Sequence, residues 1–282
     1  MAYTQEISRA TPGYLVILSD QSFSMCYPFG SAGTKSKECA KAVNRVLRET
    51  VLACTDGEEI KNSCDISVLG YGKLKDAAVN AFSGALAAKP VVTIQELTEN
   101  CLRVETIKRK VSDGAGGLVD IDDQFPIWIE PAAVGETPMT EAFEMAHQLV
   151  QDWIETHPSS FPPVVINITD GEADSLSATR KAAEALAGLE TDDGKTLLLN
   201  AHISGNAVQE VVLPAAPTQL PKGDSYAQFL FETSSELPPN MLERAAASGL
   251  NPTPYAKGFV YNAKLETLIQ LLEIGTKAEF RG

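Results

Sequence analysis

The sequence predicts an α/β fold in which helices cover both faces of a mostly parallel central sheet. Short apolar runs bounded by turn residues alternate with longer stretches whose apolar residues recur at helical spacing. The chain has 282 residues, of which 44% are hydrophobic, and this is enough for a sizeable core. We expect a single domain over 1–282, with its core at about 13–276 and an elaboration at about 73–135.

The first elements alternate between strand and helix. Gly13 to Ser19 is a short apolar run between turn residues, which predicts a buried parallel strand. From about Ser36 to Cys54 the apolar residues follow helical spacing. Ile66 to Tyr71, after an Asp-Gly turn, is the second predicted strand.

The elaboration is predicted to contain a long β-hairpin. Its strands are expected at Arg103 to Val111 and at Leu118 to Ile129, with a glycine-rich turn at Gly114 to Gly117 between them. Two strands with so thin a core would not fold alone, so we treat this region as part of the same domain.

The second half of the chain continues the alternation. Thr137 and Pro138 suit the N-cap and first turn of a helix that buries Met139, Phe143 and Trp153. The later predicted elements are strands at Val164 to Thr169, Thr196 to Ser204, Phe229 to Phe231 and Gly258 to Tyr261, and helices at Ser177 to Leu189, Pro239 to Ser248 and from Leu265 onward.

The composition excludes several classes of protein. With 23 basic and 37 acidic residues, the formal net charge of -14 disfavours binding to nucleic acid or to an anionic membrane. The N-terminus lacks the apolar segment of a signal peptide, and no run is long enough to span a membrane. Five cysteines without C-x-x-C spacing indicate reduced thiols in a cytoplasmic protein.

The most informative motif directly follows the first predicted strand. Asp20, Ser22 and Ser24 place one carboxylate and two hydroxyls at alternate positions. In an extended loop, alternate side chains project to the same side, so three oxygens would converge at the carboxyl end of a buried strand. A hard cation such as Mg²⁺ prefers a shell of this kind.

Two later motifs complete a known pattern. Thr137 lies in G-x-T-P-M at the start of a predicted helix, and Asp170 lies in T-D-G at the end of a predicted strand. Together with D-x-S-x-S, they resemble the von Willebrand factor A (vWA) domain and its metal-ion-dependent adhesion site (MIDAS). The resemblance implies a Rossmann-like fold in which Ser22 and Ser24 are direct metal ligands and Thr137 engages the metal directly in the high-affinity state. Asp20 and Asp170 would be acidic partners of the metal, often acting through water.

This site favours recognition over catalysis. We expect two carboxylates and three hydroxyls to leave residual positive charge and an open position on a divalent cation, which an acidic residue of a partner protein would fill. Mg²⁺ is the expected ion, although Mn²⁺ and Ca²⁺ accept the same oxygen ligands. No catalytic residue or organic cofactor is predicted.

Three other functions compete with this interpretation. Haloacid-dehalogenase-type phosphatases also bind Mg²⁺ beside an aspartate that follows the first strand. They need a second aspartate as general acid at the position where this chain has Ser22. In such an enzyme Asp20 could still act as the nucleophile. The stretch Gly30 to Ser36 fails the spacing of a phosphate-binding loop because Thr34 separates Gly33 from Lys35. A vWA subunit that assists a separate AAA-type ATPase remains an alternative.

The C-terminal stretch carries a further resemblance. Gly258 to Ala263, with the helix that follows, is similar to stand-alone bacterial cytosolic vWA proteins, some of the tellurite-resistance-associated type. The resemblance implies a stress-response or defence pathway with kinase and phosphatase partners. In vWA domains that switch affinity, the terminal helix shifts as the metal site rearranges. The helix at Leu265 to Leu272 could move in this way, and a static, packed helix is the alternative.

Overall fold

The computed structural model describes residues 3–29, 33–72, 78–112, 117–171, 173–204 and 209–276. In this part of the chain the strands are β1 (Gly13–Asp20), β2 (Pro28–Phe29), β3 (Gly33–Thr34), β4 (Thr55–Asp56), β5 (Glu59–Ile60), β6 (Cys64–Tyr71), β7 (Ala78–Asn80), β8 (Val92–Thr93), β9 (Arg103–Ser112), β10 (Leu118–Ile127), β11 (Val164–Thr169), β12 (Glu190–Thr191), β13 (Gly194–Lys195), β14 (Leu197–Ile203), β15 (Val211–Val212) and β16 (Phe259–Ala263). The helices are α1 (Lys35–Ala53), α2 (Ile94–Glu99), α3 (Met139–Thr156), α4 (Leu176–Gly188), α5 (Ser225–Thr233), α6 (Pro239–Ala247) and α7 (Leu265–Thr276), with short 3₁₀ helices at Phe23–Cys26, Gly84–Leu86 and Pro217–Gln219.

The central sheet of the described chain has the strand order β15-β16-β14-β11-β1-β6-β7, and β8 also pairs with β6. The strands β16, β14, β11, β1 and β6 are parallel, whereas β15, β7 and β8 run antiparallel to their neighbours. The predicted α/β fold with a mostly parallel sheet is therefore confirmed. The chain runs from β1 to β6 on one side and later returns to β11 on the other, so the strand order reverses at β1, where ligands bind in open α/β sheets.

Apolar side chains fill both faces of the sheet. Along β1, Leu15 and Ile17 belong to the cluster beneath α1, α6 and α7, whereas Val16 and Leu18 belong to the cluster beneath α3, α4 and α5. Alternate residues of one strand thus enter opposite layers of the core. This arrangement is the reason that the run is continuously apolar, and it confirms that helices cover both faces.

The predicted β-hairpin is formed by β9 and β10, which pair antiparallel over ten residues each. It is attached to α1 by Arg48, whose two terminal guanidinium nitrogens donate to the carboxylate of Asp123 at 2.8 Å. The same guanidinium lies 5.6 Å from the ring centroid of Phe125. Of the predicted glycine-rich turn, residues 114–116 lie outside the described residues.

The predicted strand at Phe229 to Phe231 is wrong, because these residues lie in α5. The helix is capped by Asp224, whose carboxylate accepts a hydrogen bond from the amide of Ala227. All three residues of the run are buried, so no polar position marks the helical period. A short apolar run of this kind fits a strand and a buried helix equally well, and the aspartate cap five residues earlier was the better signal.

Two further sequence expectations have structural counterparts. The spacing at Leu265 to Leu272 predicts a helix, and α7 confirms it, with Leu268 and Leu272 fully buried. All five cysteines are free thiols in the described structure. None of the helices in the described ranges is both long enough and apolar enough to cross a membrane.

A buried hydrogen-bond chain connects three central strands and provides a test of the core. Tyr71 donates to Asn167 Oδ1 at 2.8 Å, and Asn167 in turn donates to Asn200 Oδ1 at 3.0 Å. Tyr71→Phe leaves Asn167 Oδ1 without this donor, so we expect the free energy of unfolding in urea to fall by about 1–2 kcal/mol. The control Tyr27→Phe alters a ring that is 53% exposed and should leave stability unchanged. Equal effects of the two substitutions would contradict the assignment.

Candidate metal centre

Asp20 ends β1 at the point where the strand order reverses, and it is 1% exposed. Its Oδ1 accepts a hydrogen bond from the backbone amide of Ser22 at 2.8 Å, which closes a tight Asx turn. Its Oδ2 accepts from the hydroxyl of Thr169 at 3.0 Å. These two bonds fix the carboxylate at the carboxyl end of the parallel strands.

The two serines converge by a different route from the one the sequence indicated. Instead of an extended loop, Ser22 precedes a 3₁₀ helix at Phe23–Cys26, and Ser24 lies within its first turn. The tight turn brings the two hydroxyl oxygens to 3.0 Å from each other. The expected convergence is present, but the alternation that we expected to produce it is not.

Asp170 directly follows β11 and brings the second carboxylate to the same place. Its Oδ1 accepts a hydrogen bond from Ser24 Oγ at 2.6 Å. Its Oδ2 accepts from Lys35 Nζ, also at 2.6 Å, and the carboxylate side chain has no exposed surface. Asp20, Ser22, Ser24 and Asp170 therefore form one connected cluster.

Thr137 is placed beside the cluster but does not cap α3. The helix begins at Met139, whose amide donates to the Thr137 carbonyl at 2.7 Å, and Pro138 between them has φ -75° and ψ 61°. These angles describe an inverse γ-turn. Our N-cap prediction was wrong because Pro138 adopts these γ-turn angles instead of helical ones, so α3 begins one residue later, at Met139, and Pro138 takes the position that precedes its first turn. The Thr137 hydroxyl makes no hydrogen bond within the described residues and remains available to a ligand.

Backbone hydrogen bonds hold the Thr137 segment against the serine loop. Val134 N donates to Gln21 O at 2.6 Å, and Phe23 N donates to Gly135 O at 2.9 Å. On the other side, Gln21 N donates to Tyr71 O at 2.6 Å. The loop that carries both serines is thus connected to two neighbouring segments of the fold.

Gly171 lies next to two of the candidate ligand hydroxyls. A Cβ placed on Gly171 would lie 3.4 Å from Thr137 Oγ1 and 3.7 Å from Ser24 Oγ. Glycine at this position therefore leaves the volume beside both oxygens free of a side chain. Hydroxyl and carboxylate oxygens are the donors that hard divalent cations prefer, so the residues present fit Mg²⁺.

Two supporting residues were missed by the sequence reasoning. Gly72 has φ +136°, and a Cβ there would lie 2.4 Å from the backbone of Gln21, so a side chain would displace the serine loop. Lys35 begins α1 and lies 9% exposed beside Asp170. A glycine that follows a strand and a lysine that starts a helix are both common, so neither signals its role in the sequence.

The buried carboxylate of Asp20 is less favourable in its ionised form here than it would be in water. Burial raises the pKa of Asp20 to about 6, and the charge of Asp170 adds to the increase, although hydrogen bonds from Ser22 and Thr169 oppose it. Further out, Asp174 is exposed, and slight desolvation together with the charges of Glu136 and Glu141 raises its pKa. A cation would relieve these unfavourable charges.

No group of three or more His, Cys, Asp or Glu residues is positioned to hold a metal in the part of the chain that the structure describes. The candidate centre contains only two carboxylates, Asp20 and Asp170. Its other oxygens belong to Ser22, Ser24 and Thr137, so its metal-binding potential depends on hydroxyl groups.

No family model matches the sequence. No curated protein matches it either.

Solved structures with a similar backbone trace were found. Proximal thread matrix protein 1 from the mussel byssus is 12% identical with a TM-score of 0.46, and the match covers 95% of this chain and 48% of that protein. The manganese-loaded TRAP protein of Plasmodium vivax is 12% identical with a TM-score of 0.43, over 93% and 72% of the two chains.

A third structure is the vWF domain of the pilus tip protein Mfa5 from Porphyromonas gingivalis, which is 14% identical with a TM-score of 0.29, over 58% of this chain and 39% of that one. This chain thus spans about half the length of the mussel protein. With TM-scores below 0.5, these matches carry no weight for function, which has to be inferred from the residues of this chain.

The raised pKa of Asp20 leads to a prediction for the metal-free protein. Folding raises this pKa from 3.8 to about 6, so the contribution of Asp20 to stability is present below pH 4 and is lost as the pH rises through 6. At pH 7 the ionised side chain lowers the free energy of unfolding by up to roughly 3 kcal/mol. In EDTA, Asp20→Asn should therefore be more stable than the wild type at pH 7 and similar to it below pH 4.

Urea unfolding at several pH values measures this difference. The matched control is Asp120→Asn, which neutralises an exposed aspartate on β10 and should not change the pH dependence. If Asp20→Asn is instead less stable than the wild type at pH 7 in EDTA, the ionised carboxylate of Asp20 is not what limits the stability of the metal-free protein.

Proposed function

We propose that this protein is a metal-dependent protein-binding module of the vWA kind. The observation that carries the proposal is the cluster at the strand-order reversal, where Ser24 is hydrogen-bonded to both Ser22 and Asp170, and Asp20 and Thr137 lie beside them. Ser22, Ser24 and Thr137 would bind a divalent cation directly, and Asp20 and Asp170 would hold it through their charge or through water. The ion would be Mg²⁺, with Mn²⁺ or Ca²⁺ as substitutes.

The charges of the cluster favour an acidic ligand. Asp20 and Asp170 balance the charge of a divalent cation, so the residual positive charge that we expected of the ligand set would come from Lys35 instead. When bound, the cation supplies a Lewis-acidic position that accepts an external oxygen. A glutamate or aspartate of a partner protein would complete the shell and neutralise the site.

The arrangement supports binding more than hydrolysis. A phosphatase of the haloacid-dehalogenase type needs a second carboxyl group as general acid, and Ser22 occupies that position with its hydroxyl 3.0 Å from Ser24 Oγ. His202 lies close enough to Asp170 and Lys35 to be affected by both charges, but its Nδ1 accepts from the backbone amide of Asn262 at 3.3 Å and its ring makes no hydrogen bond to Asp20 within the described residues. Asp20 itself is held by two hydrogen bonds at the bottom of the site.

Exposed aromatic rings border the cluster on the side of the serine loop. Phe23 and Tyr27 are 59% and 53% exposed, and their rings form an edge-to-face pair with centroids 6.1 Å apart. Large exposed aromatic side chains are typical anchors of protein interfaces. They would give apolar contact around a central carboxylate. From the resemblance of the C-terminal stretch, we place the partner in a bacterial stress-response or defence pathway, with a kinase, a phosphatase or an ATPase as candidates.

Gly171→Ala tests the metal site without removing a ligand. The new methyl group would contact Thr137 Oγ1 and Ser24 Oγ at ordinary van der Waals distance, so the fold should persist while the volume beside these oxygens is filled. We expect Mg²⁺ to raise the melting temperature of the wild type, and to raise that of Gly171→Ala much less. Gly188→Ala is the matched control, because a Cβ there meets nothing within 4 Å. An equal Mg²⁺-dependent stabilisation of all three proteins would contradict the site.

Capture of partners from the native cell tests the binding function. We expect the wild type to retain a defined partner in Mg²⁺ and to release it in EDTA, whereas Asp20→Asn retains it in neither. Asp120→Asn controls for the loss of one negative charge. Capture that is equal in Mg²⁺ and EDTA, and unaffected by Asp20→Asn, would refute metal-dependent binding.

A further inference from the structure

Lys35 is a buried cation in direct contact with the candidate metal centre. Its Nζ lies 2.6 Å from Asp170 Oδ2, and the two side chains are only 11% and 0% exposed. Its backbone amide also donates to Tyr27 O at 3.0 Å, which connects the start of α1 to the serine loop. The ammonium group therefore occupies one oxygen of a carboxylate that belongs to the candidate metal centre.

The stability of α1 does not explain this lysine. The N-terminus of a helix carries partial positive charge, so a lysine at the first position is unfavourable there. The helix already has a cap, because the hydroxyl of Thr34 accepts from the amide of Lys37. Buried lysines occur mainly where a carboxylate pairs with them, and here Asp170 is that carboxylate.

We propose that Lys35 is a tethered cation that occupies Asp170 in the metal-free protein and competes with the divalent ion for the site. The proposal rests on the proposed function, because it requires that Asp20, Asp170 and the hydroxyls bind a divalent cation. Without metal, Lys35 neutralises one of the two buried carboxylates. When a divalent ion enters, the ammonium group has to withdraw from Asp170 Oδ2, since the two positive charges would otherwise share one carboxylate.

This competition lowers metal affinity for two reasons. The like charges of Lys35 and the divalent ion repel each other in a poorly hydrated site. In addition, the metal-free state is stabilised by the ion pair, which has to be broken before the metal binds. Removing the charge at position 35 should remove both effects, so metal affinity should increase even though no ligand has been added.

The test compares Mn²⁺ binding by titration calorimetry for the wild type, Lys35→Gln and Lys37→Gln. Glutamine keeps a hydrogen-bond donor near Asp170 but removes the charge, and we expect its dissociation constant for Mn²⁺ to fall by at least about tenfold. Lys37→Gln removes the charge of an exposed lysine in the same helical turn and should leave the dissociation constant within about twofold of the wild type. Lys35→Arg retains the charge and should retain weak binding.

A second measurement uses the wild type, in case Lys35→Gln does not fold. In protein labelled with ¹⁵N-lysine, the buried ammonium group of Lys35 should give a distinct signal that shifts when Mg²⁺ saturates the site. Lys35→Arg assigns the signal by its loss. A Lys35 signal that is unchanged on saturation with Mg²⁺ would overturn the proposal.

The outcomes separate this proposal from the proposed function. If the wild type binds Mn²⁺ and Lys35→Gln binds it equally or more weakly, Lys35 is not a competitor, and the metal site stands. If Lys35→Gln binds Mn²⁺ and the wild type does not, the competition is confirmed in its strongest form. If no variant binds Mn²⁺, both the competition and the metal-dependent function are refuted.

Discussion

The burial of two carboxylates at one point of the sheet is the constraint on which the site depends. Asp20 and Asp170 end neighbouring parallel strands where the strand order reverses, and both are almost completely removed from water. Buried anions require hydrogen-bond donors or cations close by. The backbone amide at 22, the hydroxyls of Ser24 and Thr169, and the ammonium group of Lys35 supply them.

The fold explains why these groups meet and why they stay in place. Parallel strands deliver their carboxyl ends to one edge, and the apolar clusters on both faces fix the strands beneath that edge. Above it, backbone hydrogen bonds connect the serine loop to Gly135 and to Tyr71. The buried carboxylate of Asp20 lowers the free energy of unfolding, and the packing of the core offsets this loss, so the protein folds with both charges in place.

The sequence predicted the strands that frame the site more accurately than it predicted the contacts within the site. β1 and β11 could be recognised because a continuous apolar run that ends in polar residues is typical of a buried parallel strand. The 3₁₀ turn around Ser24 and the γ-turn at Pro138 depend on local backbone angles that a pattern of residue types does not encode. The pairing of Lys35 with Asp170 joins residues 135 positions apart, so no local rule indicates it.

The charge of the surroundings explains why a cation would act as a condition for binding rather than as a simple aid. The chain carries a net charge of -14, and Glu136, Glu141 and Asp174, which lie close in sequence to Thr137 or Asp170, add negative charge near one another. An acidic partner would be repelled from such a surface while the site lacks a metal ion. With a divalent ion bound, the cluster of Asp20, Asp170 and Lys35 would be net positive and would attract the proposed acidic ligand. Because Lys35 both opposes the entry of the metal and provides the excess charge once the metal has entered, the site would respond to metal concentration as well as to the partner.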